Sequence, residues 1–236
     1  MHRQEASVQR RALITAAALL LPLLAGCGSG GHGNPAAPSA PAMKSGTLVV
    51  VASVVSDADP AGNFSTQFTV TLADTGTAAP ATAANVQFST SSGAVSLTED
   101  ALTPGTYRAQ QSGFASGQYT LSVARGSDIA AGAVDMPEAH SISSPAAADT
   151  ISSNGALDVT WTRSAAAQEA WIDTKNWTTG SQLDSGSGKV PKGHNQTNSS
   201  QRVGVTRRNS SNPSGLAAGS VRQAAVRVTV EPVVVQ

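Results

Sequence analysis

The sequence predicts an all-β protein: two tandem β-sandwiches behind a short leader and a tether. Three observations predict it. Apolar and polar residues alternate at period two in seven stretches between residues 46 and 134, the spacing of a strand with one buried face. Clusters of Gly, Pro, Asn, Asp and Ser separate these stretches at turn-length intervals. After a break from Met136 to Pro145, bounded by Pro137 and Pro145, the same grammar starts again.

The chain opens with MHRQEASVQRR, where Arg3, Arg10 and Arg11 outweigh Glu5, and runs uncharged from Ala12 to Gly26. A basic start, a short apolar run and small residues at its end form an export-signal pattern. The run falls short of the roughly 20 apolar residues a membrane-spanning helix needs, and Pro22 interrupts it. Leu24-Ala25-Gly26-Cys27 closes it with the only cysteine of the chain. These four residues resemble the lipobox of bacterial lipoproteins. The resemblance implies cleavage between Gly26 and Cys27, a diacylglycerol on the Cys27 sulfur and an acylated new amino terminus, in many cases by palmitate. Two or three acyl chains hold a protein stably where one holds it marginally, at about 0.8 kcal/mol per buried methylene. Gly28 stands where enteric lipoproteins kept at the inner membrane carry Asp, so the resemblance leans toward the outer membrane. Gln9-Arg10-Arg11 also resembles a twin-arginine signal, but the general secretory route fits better because the usual phenylalanine and trailing lysine are missing.

Residues 27–45 have almost no bulky apolar side chain and cannot build a core. They read as a tether of roughly 20–25 Å root-mean-square span if flexible, and His32 within it reads as solvated. The first sandwich is expected over residues 46–136. Its strands read as GTLVVVASVVS, NFSTQFTVTLAD, ANVQFST, AVSL, TYRAQ, QYTLSVA and IAAGAV, with Phe68, Val70, Leu72, Phe88 and Leu121 among the residues turned inward. The second sandwich is expected over residues 137–236. It takes TISS, ALDVTWTR (Leu157, Val159 and Trp161 on one face), AQEAWIDTKNW, RVGVTRR and a last strand from Ser220. Pro232 cannot donate to a ladder, so that strand should be at an edge or bulged there, and Val233 to Val235 need a partner to avoid a sticky edge. Both halves resemble immunoglobulin-like or fibronectin type III-like modules of bacterial surface proteins, the second through SPAAADTISSNGALDVTWTR with Trp161 as core tryptophan. One larger sandwich is the alternative.

The chain carries 15 basic and 15 acidic residues and only 13% charge, so no basic surface points to nucleic acid. With no cysteine after Cys27, neither disulfides nor thiolate zinc sites serve the mature chain. Asp57 to Asn63 superficially suits calcium, but Phe68 takes the place of the final glutamate and a hairpin turn is the better reading. His140 and His194 stand alone, no H-E-x-x-H or G-x-S-x-G occurs, and combining either with Asp173 or Asp184 is arbitrary. Glu99, Asp100 and Glu138 read as turn carboxylates. The sequence therefore suggests no catalytic residue, no metal and no cofactor. Five N-x-S/T sequons, at Asn63, Asn176, Asn195, Asn198 and Asn209, match chance in a chain this rich in Ser and Thr. Arg202, Arg207 and Arg208 flank a polar loop and form a small basic cluster. Trp171 and Trp177, six apart, would share a face if one strand held both, and would then suit the apolar face of a sugar ring; core packing is the competing reading. The expected role is a membrane-anchored, non-catalytic envelope protein for adhesion or scaffolding, with carbohydrate binding through the two tryptophans as the alternative and an envelope protein or glycan as partner.

Overall fold

The computed structural model describes residues 47–194, 201–212 and 216–235. The leader, Gly26, Cys27 and the tether lie outside the described residues, as do Asn195 and Asn198. Every regular element described is a β-strand.

The first seven strands are β1 (Leu48–Ala58), β2 (Phe64–Asp74), β3 (Asn85–Thr90), β4 (Gly93–Glu99), β5 (Thr106–Ser112), β6 (Gly117–Arg125) and β7 (Asp128–Met136). They form two layers, β1-β2-β5 and β4-β3-β6-β7, joined where Thr98 and Glu99 of β4 also pair with β5. This is the strand arrangement of an immunoglobulin-like sandwich. Alternation makes it: Leu48, Val50, Ala52 and Val54 of β1 and Phe68, Val70 and Leu72 of β2 face Val86, Phe88, Leu121 and Val123 across one core. Phe68 packs on Phe88 and Tyr119 at ring-centroid distances of 5.4 and 6.1 Å. Tyr119, near the start of β6, donates its hydroxyl proton to the Ala115 carbonyl, 2.9 Å away and four residues upstream. That contact is the tyrosine corner of such sandwiches.

The remaining strands are β8 (Ile142–Ser144), β9 (Thr150–Ile151), β10 (Leu157–Trp161), β11 (Glu169–Thr174), β12 (Ser187–Val190), β13 (Gln201–Ser211) and β14 (Val221–Val235). A three-stranded sheet, β12-β10-β8, covers a second core of Leu157, Val159, Trp161, Ala170, Ile172, Val190, Val203 and Val205. The expected boundary at Met136 and Pro137 falls between β7 and β8, but β14 belongs to both sides of it. Its first half pairs parallel with β1, from Val51 opposite Val221 to Asp57 opposite Arg227, and puts Ala224 and Val226 into the first core. On its other edge it pairs antiparallel with β13, and Val230 packs on the second core. One sheet therefore runs continuously from β11 through β13, β14 and β1 into β2.

Two further details tie the halves. Asn209 and Ser211 of β13 donate side-chain hydrogen bonds to the Asp135 and Ala133 carbonyls of β7 at 2.9 and 2.8 Å, covering an edge that would otherwise invite another strand. Arg222 of β14, buried, lies against Gly132 of β7 so closely that any side chain there would collide with its guanidinium. The pairing of β14 with β13 shifts register between Val203 and Gln201, placing a bulge beside Pro232 as expected. Beyond it, Val234 and Val235 pair with Thr150 and Ile151 of β9, so the valine-rich end has a partner.

Candidate functional site

The two tryptophans part company. Strand β11 ends at Thr174, and the chain turns through Lys175 and Asn176 so that Thr178 bridges back to Asp173. The expected continuous strand is therefore interrupted. Trp171 alternates with the buried Ala170 and Ile172 and faces outward. Trp177 folds against the second core and stacks on His194, with ring centroids 5.1 Å apart.

Strand register assembles the surroundings of Trp171. Because β11, β13, β14 and β1 lie side by side, Trp171, Thr206, Arg227 and Asp57 fall in one row across the outer face. Glu169, Arg208, Ala225 and Val55 form the next row. Together with Ser53, Gln223 and Asp173, residues of these rows line a groove of about 420 Å³, within the range of about 300–1,000 Å³ usual for small-ligand sites. The lining combines the short side chains of Ser53, Val55, Thr206 and Ala225 with the Trp171 indole and two arginines, Arg208 and Arg227. The Arg208 guanidinium lies 5.1 Å from the Trp171 ring centroid and also pairs with Glu169; the cation over the ring face restrains both side chains. Asp173 accepts from Arg227 at 2.6 Å and Arg202 at 3.1 Å. Gly204 makes this geometry possible, since a Cβ there would come within 2.7 Å of Asp173 Oδ1. Burial raises the pKa of Asp57 above the ordinary value, while the charge of Arg227 works against the rise.

The basic cluster read from the sequence splits by strand parity. Arg202 and Arg208 face outward and are paired, whereas Arg207 faces inward and is fully buried against Asp184. Arg207 donates from Nε to Asp184 at 2.8 Å, from Nη1 to the Glu138 carbonyl at 2.9 Å, and from Nη2 to the Ala165 carbonyl. Asp184 also accepts from the Ala167 N–H at 2.8 Å and the Trp161 indole N–H at 2.9 Å. Burial works to raise its pKa, but these donors outweigh burial and hold it below the ordinary carboxylate value. Of the other acidic residues marked in the sequence, Glu99, Asp100 and Asp59 serve turns. Glu99 accepts from the Gly105 and Ala83 N–H groups and Asp100 from that of Leu102. Asp59 accepts from Ala61 and Asn63 within the β1–β2 hairpin, so its carboxylate closes the turn.

His140 is 7% exposed. Its Nε2 lies 3.1 Å from the Val205 carbonyl, which can only accept, so Nε2 carries a proton. Burial, reinforced by the charge of Arg207, pushes its pKa down to about 4 from 6.5. The folded state therefore binds this proton less readily than the unfolded chain. The contribution to stability is full above pH 6.5 and is lost as pH falls toward 4, by about 3 kcal/mol in all. Urea titrations at stepped pH should show that slope, and His140→Gln should flatten it. Equal stability of the parent chain at the two ends of the window would refute the assignment.

Sequence reasoning marked Trp171 but passed over Gln223 and Arg227 and read Asp57 only as part of a loop. Their signal was present: each is a polar residue at an outward position of a valine-rich strand.

No family model matches the chain, and no curated protein matches it. Among solved structures, the fibronectin(III)-like modules of CbhA from Clostridium thermocellum are 13% identical, with 78% of this chain and 93% of that chain covered and a TM-score of 0.25. A chimeric titin Z1Z2 carrying an exogenous KLER peptide from decorin is 12% identical, with 82% and 99% covered and a TM-score of 0.26.

Proposed function

We propose that this chain is a lipid-anchored protein of the bacterial cell envelope whose sandwich body has a non-catalytic adhesion or scaffolding role. Residues 1–26 act as the export leader, Cys27 carries the lipid, and residues 27–45 hold the body away from the headgroups, on the outer membrane in this reading. The basic start, the short apolar run and Leu24-Ala25-Gly26-Cys27 support the anchor. The observation that favours a presenting body is the continuous sheet through β14, which joins two cores and carries the Trp171 groove on its outer face across β11, β13, β14 and β1. The buried polar groups of the second core serve structure: Asp184 holds Arg207 and Trp161, and His140 holds the Val205 carbonyl.

Fractionation of a bacterial host expressing the full chain tests the anchor. The parent chain should sediment with membranes, and its mature amino-terminal peptide should carry acyl mass on Cys27. Cys27→Ser should move to the soluble fraction. Membrane retention of that variant, or a parent chain with a free thiol or an intact leader, overturns the reading.

A further inference from the structure

We propose that the groove beside Trp171 binds a neutral oligosaccharide, laid across the strands from Trp171 on β11 toward Asp57 on β1. The inference deepens the adhesion reading by naming the ligand class of its outer face.

Charge decides against the main alternatives. The groove lining contains Asp57 and Asp173 against Arg208 and Arg227, which balance. Both arginines are already paired, Arg227 with Asp173 and Arg208 with Glu169. An anionic glycan or lipid headgroup would have to break those pairs, and a cationic ligand would meet the arginines. A neutral ligand leaves them intact.

The unspent groups suit hydroxyls. Among the described residues, the side chains of Ser53, Asp57, Thr206 and Gln223 make no hydrogen bond. Asp57 can only accept when ionised, Gln223 donates and accepts, and the two hydroxyls do either. A polyhydroxylated ligand matches such a mixed set, since each sugar hydroxyl also both donates and accepts. Beside them the Trp171 indole offers a flat apolar surface, held in place by Arg208, on which the C–H face of a pyranose packs. From Trp171 to Asp57 the row crosses three strand spacings, roughly 14 Å, so an extended sugar chain fills it better than a single ring. An extended peptide is disfavoured because it recognises sheets by pairing at an edge, whereas the backbone under this groove is already paired on both sides in β13 and β14.

The test uses the full chain, solubilised in detergent, on an array of neutral gluco-, manno- and N-acetylated oligosaccharides beside sulfated and uronate-bearing glycans and charged peptides. The expected result is retention on one or more neutral oligosaccharides with a change in tryptophan fluorescence. Trp171→Ala should weaken retention at least about tenfold, the scale of losing one aromatic anchor. Gln223→Ala should weaken it less, and Trp177→Phe should leave it unchanged. Binding confined to charged glycans or peptides, binding of no neutral oligosaccharide, or binding indifferent to Trp171→Ala overturns the proposal. Fractionation separates this failure from that of the anchor: a chain that sediments with membranes but binds no neutral sugar loses the glycan alone, and a glycan-binding chain with a free Cys27 thiol loses the anchor alone.

Discussion

Replacing Arg207 with alanine should destabilise the chain by about 3–5 kcal/mol, the cost of breaking a buried ion pair by removing one partner. Both side chains of the Arg207 and Asp184 pair are 0% exposed. Loss of the guanidinium would leave the Asp184 carboxylate in the second core with its neutral donors but no positive charge. It would also orphan the Glu138 and Ala165 carbonyls that the same fork satisfies. Arg207→Lys should fall between parent and alanine, because an ammonium keeps the charge but cannot reach three separated acceptors with the geometry of a planar fork. Urea denaturation of the three proteins measures both effects. A loss below about 1 kcal/mol for Arg207→Ala, the size expected of an exposed pair, would show that the pair is not buried in solution.

Ending the chain after Ser220, which removes β14, should abolish cooperative folding of both halves. The strand lies between β1 and β13 and hydrogen-bonds to each. Its loss strips Ala224 and Val226 from the first core and uncovers one edge of β1 and one of β13, edges that would recruit other chains. The truncated protein should show no sharp thermal transition and should bind a hydrophobic dye. If β1 to β7 stood alone as an independent domain, a transition close to that of the parent would survive, and calorimetry distinguishes the two results. In the parent, the shared strand should make the described body unfold in one transition.

The two experiments probe features that differ in how far the sequence announces them. The inward residues of β1, β2, β3, β6 and β10 could be read directly, since Val50, Phe68, Phe88, Leu121 and Val159 recur at every second position and all are buried. The same periodicity separates Arg207 from Arg208, yet a cluster of arginines beside a polar loop suggests a surface, and only the acceptors Asp184, Glu138 and Ala165 show why one of them is inside. Trp171 and Trp177 could not be separated by spacing, because spacing presumes an unbroken strand and the turn at Lys175 and Asn176 carries neither Gly nor Pro. The groove was visible only as isolated outward polar residues.

What the sequence determined by itself was the all-β class, the positions of most of the strands and the inward face of most of these; it missed β8, inside the proline-bounded break, and β12, inside a polar run without apolar periodicity that reads as an exposed loop. Those properties are local: side-chain direction follows from the two-residue repeat of extended backbone, and turns follow from the conformational freedom of Gly, Asn and Asp and the fixed φ of Pro. Tertiary structure decided which strands became neighbours. The Val50 N–H meets the Ser220 hydroxyl across 170 positions of chain, and β14 lies parallel to β1 while facing two cores. No short-range pattern specifies such a pairing, because it depends on which distant edges remain open once the nearer strands have paired. The row from Trp171 to Asp57 exists only after that choice is made.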